Sequence, residues 1–383
     1  MTTSELRAAA SPAVVPPSDE SGWDWPLFWT VVILCAVGLL MVLSASSADA
    51  DRLYGNAFHY FTRQSIGLAI GLGAAATVLV MPWRWLRRAI WPSYLGTVLL
   101  LGAVMTPFGH SAKGAQRWLA LGPMNFQPSE LAKLALIVTL ANYLSSNEGR
   151  LKDVVGVAGP GLGLVVPLIA LIIFQSDFGT TVILVGLSGV LLFVAGLQKR
   201  WLIGGAGVAG IGLAVMILAR PYRILRLVAF LDPFADPDAA GYQIVQGWIA
   251  LATGGAMGTG VAAGVAQRGF LPEPHTDFIS AVIGEEYGAV GWCFAVGLQM
   301  FLVWRILQVS EHARDLFGTL VAVGVAALFG AQAIINLGVV AGLMPAKGLV
   351  LPFLSYGASA VIVHVLAIGL VLRIGLESKR EVS

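Results

Sequence analysis

Three ionisable side chains, Glu273, His275 and Asp277, fall within five residues in the segment Leu271-Pro272-Glu273-Pro274-His275-Thr276-Asp277-Phe278. Two prolines stiffen that backbone, and Glu285 and Glu286 follow about two helical turns later. Taken alone, the segment also reads as an acidic turn with Asp277 capping a helix. Glu130 and Lys133 recur at i, i+3 inside an otherwise apolar stretch, so a helix puts them on one face. Arg117 stands in Gly114-Ala115-Gln116-Arg117-Trp118, and Lys347 in Met344-Pro345-Ala346-Lys347-Gly348, just before Leu351-Pro352-Phe353-Leu354-Ser355-Tyr356-Gly357. Arg220, Arg223 and Arg226 repeat at helical spacing, which fits an interfacial helix whose arginines snorkel to headgroups equally well. A basin of cations with one exposed carboxylate suits a lipid substrate that carries pyrophosphate. One histidine among scattered carboxylates has no recognised metal-ligand spacing, and no phosphate-binding loop, dinucleotide fingerprint or nucleophile elbow is present.

The elements that must hold these residues are membrane helices. Of 383 residues, 57% are apolar and 11% charged, and the mean hydropathy is +0.82. A soluble domain carries about 25% charged residues, so a soluble enzyme, a disordered chain and a nucleic-acid binder are excluded. A net charge of +2 gives no reason to expect an anionic polymer as partner. Cys35 and Cys293 both lie in apolar runs, leaving no disulfide framework. A crossing needs about 20 apolar residues. Ten stretches qualify: 25–48, 64–83, 89–112, 128–147, 154–176, 178–198, 201–219, one within 287–304, 316–343 and 357–376. Residues 239–267 are uncharged but hold seven glycines with Gln243 and Gln246, and read as amphipathic or re-entrant.

The fold class expected is therefore an all-α membrane protein of about ten transmembrane helices, with a large extracytoplasmic loop between helices 7 and 8. Its parts are a cytoplasmic tail (1–24), a membrane domain (25–376) whose outer loop covers 220–286, and a short cytoplasmic tail (377–383). The polar N-terminal tail is too long for a cleavable signal, so the first span stays attached. With both ends inside, Lys and Arg in short loops and tails number thirteen inside against six outside. Glu130 and Lys133 then lie in a spanning segment, where a charge costs about 2.5–3.5 kcal/mol and so pairs or lines a cavity. They either tie helices together or face a polar chamber open to the outside.

Six motifs in order along the chain resemble the SEDS family (shape, elongation, division and sporulation). They are Gly114 to Trp118, Phe126 to Lys133, Asp177-Phe178-Gly179-Thr180, Phe230 to Pro237, Leu271 to Phe278, and Lys347-Gly348 with Leu351 to Gly357. Lys347-Gly348 and Ala252-Thr253-Gly254-Gly255 favour the division-associated branch over the elongation-associated one. Ala358-Ser359-Ala360 stands where Gly-Ser-Ser is usual, and Ala346 where threonine is usual. The resemblance implies a glycosyltransferase of the bacterial cytoplasmic (inner) membrane that polymerises lipid II on its outer face, for septal wall synthesis in cell division. It implies Asp277 as the general base, and Arg117, Lys133 and Lys347 as cations facing the pyrophosphate. Glu130 would orient Lys133, with Ser355 and His275 at the substrate. Read from the residues themselves, Glu273 and the Glu285/Glu286 pair compete with Asp277 for the role of base, Glu273 between two prolines facing solvent and the pair orienting His275 or a bound ion. No cofactor is required by the spacing, although a divalent cation (Mg2+ or Mn2+) would suit the pyrophosphate. The partners implied are lipid II, a class B penicillin-binding transpeptidase and other divisome proteins, with no nucleic acid. A lipid II flippase is the alternative, disfavoured because the unusual charges gather on one side and the two halves show no repeat.

Overall fold

The computed structural model describes residues 23–112, 115–122, 124–150, 154–235, 241–265, 269–345 and 348–379. In order come α1 (Trp25–Tyr54), α2 (His59–Val80), α3 (Trp83–Val104), a three-stranded sheet, and α4 (Pro128–Ser146). A π-helical turn (Val154–Ala158) leads into α5 (Gly159–Phe174), followed by α6 (Phe178–Val194) and α7 (Lys199–Leu218). Then come α8 (Pro221–Leu231), α9 (Tyr242–Gly254), α10 (Ile279–Glu311), α11 (Leu316–Val340) and α12 (Ala358–Lys379). Seven described helices are long and apolar enough to cross a membrane, and α6 is a shorter apolar helix. The molecule is an all-α membrane protein apart from the small sheet.

That sheet differs from the sequence reading. The third apolar stretch was expected at 89–112, but α3 starts at Trp83 and ends at Val104. Residues 109–112 instead form β1, antiparallel to β2 (Ala115–Leu121), which pairs antiparallel with β3 (Met124–Phe126). The helix runs early because its first turns accept arginines: the Arg87 guanidinium stacks 4.1 Å from the Phe317 ring centre and pairs with Asp315. A search for charge-free windows discards such a turn.

Local chemistry fixes the helix ends. Asp24, Asp177 and Asp315 each accept a backbone N–H of the first turn of α1, α6 and α11, and Pro128 opens α4 where a missing N–H costs nothing. Within lipid, helices gain little from burying apolar area against one another, so close approach of small residues decides the packing. Gly67 and Gly71 of α2 are one turn apart and face the backbone of α12 at Ala358 and Ile362, where any side chain would collide. Of the seven helices long enough to span, α11 and α12 are the most enclosed, whereas α7 has no buried residue.

The uncharged 239–267 stretch contains α9, whose 13 residues span about 20 Å, less than the roughly 30 Å apolar core of a bilayer. The chain then folds over a break in α10, where Gly288 takes φ 68°. Carbonyls of Glu285 and Glu286 at that break accept the N–H groups of Thr259 (2.9 Å) and Gly260 (3.0 Å), and Ala289 N–H donates to the Gly255 carbonyl (2.9 Å). The interrupted backbone thereby regains hydrogen-bond partners at the break.

Candidate active site

Every candidate residue that the structure describes lies at one end of the bundle, where α2, α4, α6, α10 and α12 begin. The Asp277 turn is held by Asn336 of α11. Its amide donates to the Asp277 carbonyl (3.0 Å) and to the Leu349 carbonyl (2.8 Å), so one buried side chain joins two loops. Phe278, not Asp277, is the cap residue of α10, and no side chain caps that helix. The Asp277 carboxylate instead lies against Gly348: a β-carbon there would sit 3.3 Å from Oδ2 and 3.6 Å from Oδ1. Lys347, the preceding residue, lies outside the described residues.

Ser355 closes the same corner. Its Oγ accepts the Leu351 N–H (2.9 Å) and donates to the Thr276 carbonyl (2.7 Å). The Tyr356 N–H donates to the His275 carbonyl (2.8 Å). From α2, the Gln64 amide donates to the Ser355 carbonyl (3.2 Å) and accepts the Gly357 N–H (3.0 Å). The Ser355 hydroxyl is thus spent in both directions, and it ties the last outer loop to the Asp277 turn. His275 is buried, with Nε2 4.0 Å from Glu273 and its ring 4.4 Å from that of Tyr60 and 5.6 Å from that of Tyr356. Burial pushes the Tyr356 phenol up, with the Arg63 guanidinium beside it working against that, so the hydroxyl stays protonated at neutral pH.

The ion pair in α4 is real and enclosed. Lys133 Nζ is 2.7 Å from Glu130 Oε2, and both residues are buried, Lys133 completely. His364 of α12 lies within electrostatic reach of Lys133, and its ring packs on Phe329 and Phe353. One residue before the pair, Ser129 donates to Asp177 Oδ2 (3.4 Å), which also accepts from the Thr180 hydroxyl (2.9 Å). Arg117 on β2 donates from Nε to the Gln175 carbonyl (3.2 Å) and from Nη2 to that of Ser176 (2.6 Å), so it braces the turn between α5 and α6.

Among the described residues, the non-glycine positions with left-handed backbone are Ser176 (φ 58°), Ala262 (φ 57°), Glu273 (φ 51°) and Phe353 (φ 64°). Three of them stand in or beside the motifs named above. Such conformations persist where surrounding contacts over-determine them, and they gather at functional sites.

Glu285 and Glu286 hold backbone and hydroxyl partners around the break in α10. Glu286 Oε1 accepts the Ser44 hydroxyl (2.5 Å) and the Ala262 N–H (3.1 Å), and Glu285 Oε1 accepts the Val265 N–H (2.8 Å). Both are buried and anchor the loop over the α10 break. Among the described residues, no group of three or more His, Cys, Asp or Glu is placed to hold a metal ion. The sequence reading passed over Gln64, Asn336 and Tyr60, and gave no separate role to Arg63 or Tyr356. A signal existed for two: Gln64 and Asn336 are uncompensated polar residues within apolar spans, which normally have a partner to find.

Fold and site together define a polytopic membrane protein with a cluster of ionisable residues and strained backbone at one end of the helical bundle. A family model described as "Cell cycle protein", covering the FtsW, RodA and SpoVE types, matches residues 25–380. The chain belongs to this family. A probable peptidoglycan glycosyltransferase FtsW from Geobacter sp. (strain M18) is 40% identical over 355 residues, covering 92% of this chain and 96% of the relative. The protein of the same name from Thiomicrospira cyclica is 41% identical, covering 94% of each. Among solved structures, a chain of a peptidoglycan synthase complex that coordinates polymerization and crosslinking superposes with a TM-score of 0.78 at 31% identity, covering 94% of this chain and 99% of that one. The Thermus thermophilus rod shape determining protein RodA superposes at 0.68 with 30% identity, covering 92% and 96%.

Proposed function

We propose that this chain is a peptidoglycan glycosyltransferase that polymerises lipid II into β-1,4 glycan strands for septal wall synthesis, with Asp277 as its general base. The reaction sits on the outer face of the cytoplasmic membrane, the chain crosses ten times, and both termini are cytoplasmic. Relatives bearing this name along nearly their whole length support the activity. The observation that carries the site is the convergence of the Asp277 carboxylate with Gly348 and the Ser355 corner.

In the reaction, the C4 hydroxyl of an N-acetylglucosamine attacks the anomeric carbon of the donor sugar. The new glycosidic bond forms as the bond to the polyprenyl pyrophosphate breaks. The hydroxyl is far too weak an acid to react unaided, so its proton passes to Asp277. Charge grows on the departing pyrophosphate, and fixed cations stabilise it best when already in place. Lys347, beside Gly348 in sequence, is the cation assigned to that role nearest the base. Lys133, oriented by Glu130, acts from beneath, and Arg117 acts chiefly by holding the 175–176 turn. Ser355 and His275 position the Asp277 turn. A class B penicillin-binding transpeptidase is the partner that would crosslink the strands. The test is polymerisation of purified lipid II by the purified chain, alone and with that transpeptidase. Strand formation supports the reading; its absence in both, with transport of lipid II across vesicles, would favour the flippase.

A further inference from the structure

Five rings form a continuous wall at the outer ends of α1 and α2, beside the proposed base. Tyr54 and His59 are stacked nearly coplanar, 3.8 Å between centres at 4°. Tyr60 meets Tyr54 at 6.0 Å and His59 at 5.3 Å, then His275 at 4.4 Å and Tyr356 at 4.9 Å. The far end of the wall therefore belongs to the turn that carries Asp277. The near end is open, since Tyr54 is 53% exposed. Polar groups edge it: Arg63 sits beside the Tyr356 phenol, and the Tyr54 and Tyr60 phenols adjoin.

Aromatic residues also girdle membrane proteins at the lipid interface. Belt residues of that kind meet headgroups. Here Tyr60 and Tyr356 pack on a buried histidine of an outer loop, and Tyr356 is bonded to it through the backbone. The faces of such rings are electron-rich, which suits the polarised C–H groups on one face of a pyranose, while the edge hydroxyls and guanidinium suit its oxygens. A wall of aromatics with a few convergent polar groups is the ordinary composition of a small-ligand site.

We infer that the Tyr54–His59–Tyr60–Tyr356 wall is a saccharide subsite that holds the acceptor's N-acetylated pyranose, so that its hydroxyl is presented to the Asp277 turn. The inference rests on the polymerase reading for its role, but the binding can be read without turnover. The probe is the soluble β-1,4-linked tetramer of N-acetylglucosamine, titrated onto the full chain in nanodiscs and followed by saturation-transfer NMR. The wild type should bind, with transfer strongest at the ring protons of one sugar face. Tyr54→Ala should weaken binding roughly 10-fold, the scale of one lost aromatic stack, and Tyr54→Phe should stay within about threefold because the ring face remains. In lipid II polymerisation, Tyr54→Ala should raise KM with kcat little changed, the signature of lost substrate binding. Tyr54 is exposed, so its variants should fold, as a thermal melt verifies. No tetramer binding by the wild type, or equal binding by Tyr54→Ala, overturns the subsite and leaves an interfacial belt. If the tetramer binds in a Tyr54-dependent way while lipid II is never polymerised, the subsite stands and the polymerase reading falls.

Discussion

Ser355 Oγ donates to the carbonyl of Thr276 at 2.7 Å, joining two loops 79 residues apart in the chain. The Leu351 N–H donates to the same oxygen, and Asn336 repeats the device one layer away by bonding the carbonyls of Asp277 and Leu349. The Asp277 turn is thus positioned by side chains that grip its backbone, and no side chain caps the helix that follows it. A carboxylate fixed this way needs little reorganisation when it accepts a proton.

Ser355→Ala leaves the Leu351 N–H and the Thr276 carbonyl without this partner. A buried polar group left unpaired costs about 1–3 kcal/mol. The variant should melt several degrees lower and lose polymerase kcat, whereas Ser355→Thr should recover part of both if its methyl is accommodated. A melting curve with a lipid II turnover assay decides; unchanged values in both would mean that the corner assembles without this hydroxyl.

Gly348 stands where the Asp277 carboxylate passes. A methyl group added there begins 3.3 Å from Oδ2, tighter than ordinary contact, so the carboxylate must shift by a few tenths of an ångström. Gly348→Ala should reduce kcat by roughly 10-fold or more, since misplacement on this scale is costly to a positioned base, with little change in melting temperature. Wild-type turnover by Gly348→Ala would show that Asp277 does not act from this position.

The buried Glu130–Lys133 pair separates charge from packing. Lys133→Ala strands the Glu130 carboxylate, and breaking a buried pair costs about 3–5 kcal/mol. Its activity loss is therefore ambiguous. The double variant Glu130→Gln, Lys133→Met removes both charges at similar volume and should keep the fold within about 1–2 kcal/mol. If Lys133 serves the pyrophosphate, this stable double variant is inactive; full activity would make the pair a helix tie alone.

Much of the frame was legible from charge-free stretches because lipid admits few alternatives. The first stretch, 25–48, begins where α1 begins, and 357–376 overlies α12 (Ala358–Lys379). The α3 register was missed because Arg84, Arg87 and Arg88 sit inside its first turns, two of them over aromatic rings. The sheet that carries Arg117 was missed because its strands have three to seven residues, too short for alternation to register. At the site, the ionisable residues announced themselves by type and spacing. Their supports did not, because a glutamine in α2 reveals its use only when the 355–357 backbone is brought to it. The aromatic wall likewise exists only once α2 meets the His275 turn.

Topology is tested by reporters. An enzyme fused after Ser383 should read cytoplasmic, and one inserted near Asp238 external. An external C-terminus would make the number of crossings odd and place the Asp277 corner on a different footing from the charge distribution that predicts it outside.

The central claim is proton transfer to Asp277. Asp277→Asn keeps shape and hydrogen-bonding capacity but cannot accept the proton. General-base catalysis contributes about 10²–10⁴-fold, so glycan-strand formation from purified lipid II by this variant should fall at least 10²-fold, with the melting temperature and lipid II binding retained. Strand formation within a few-fold of the wild type, at matched folding, would contradict the account and move the search for the base to Glu273.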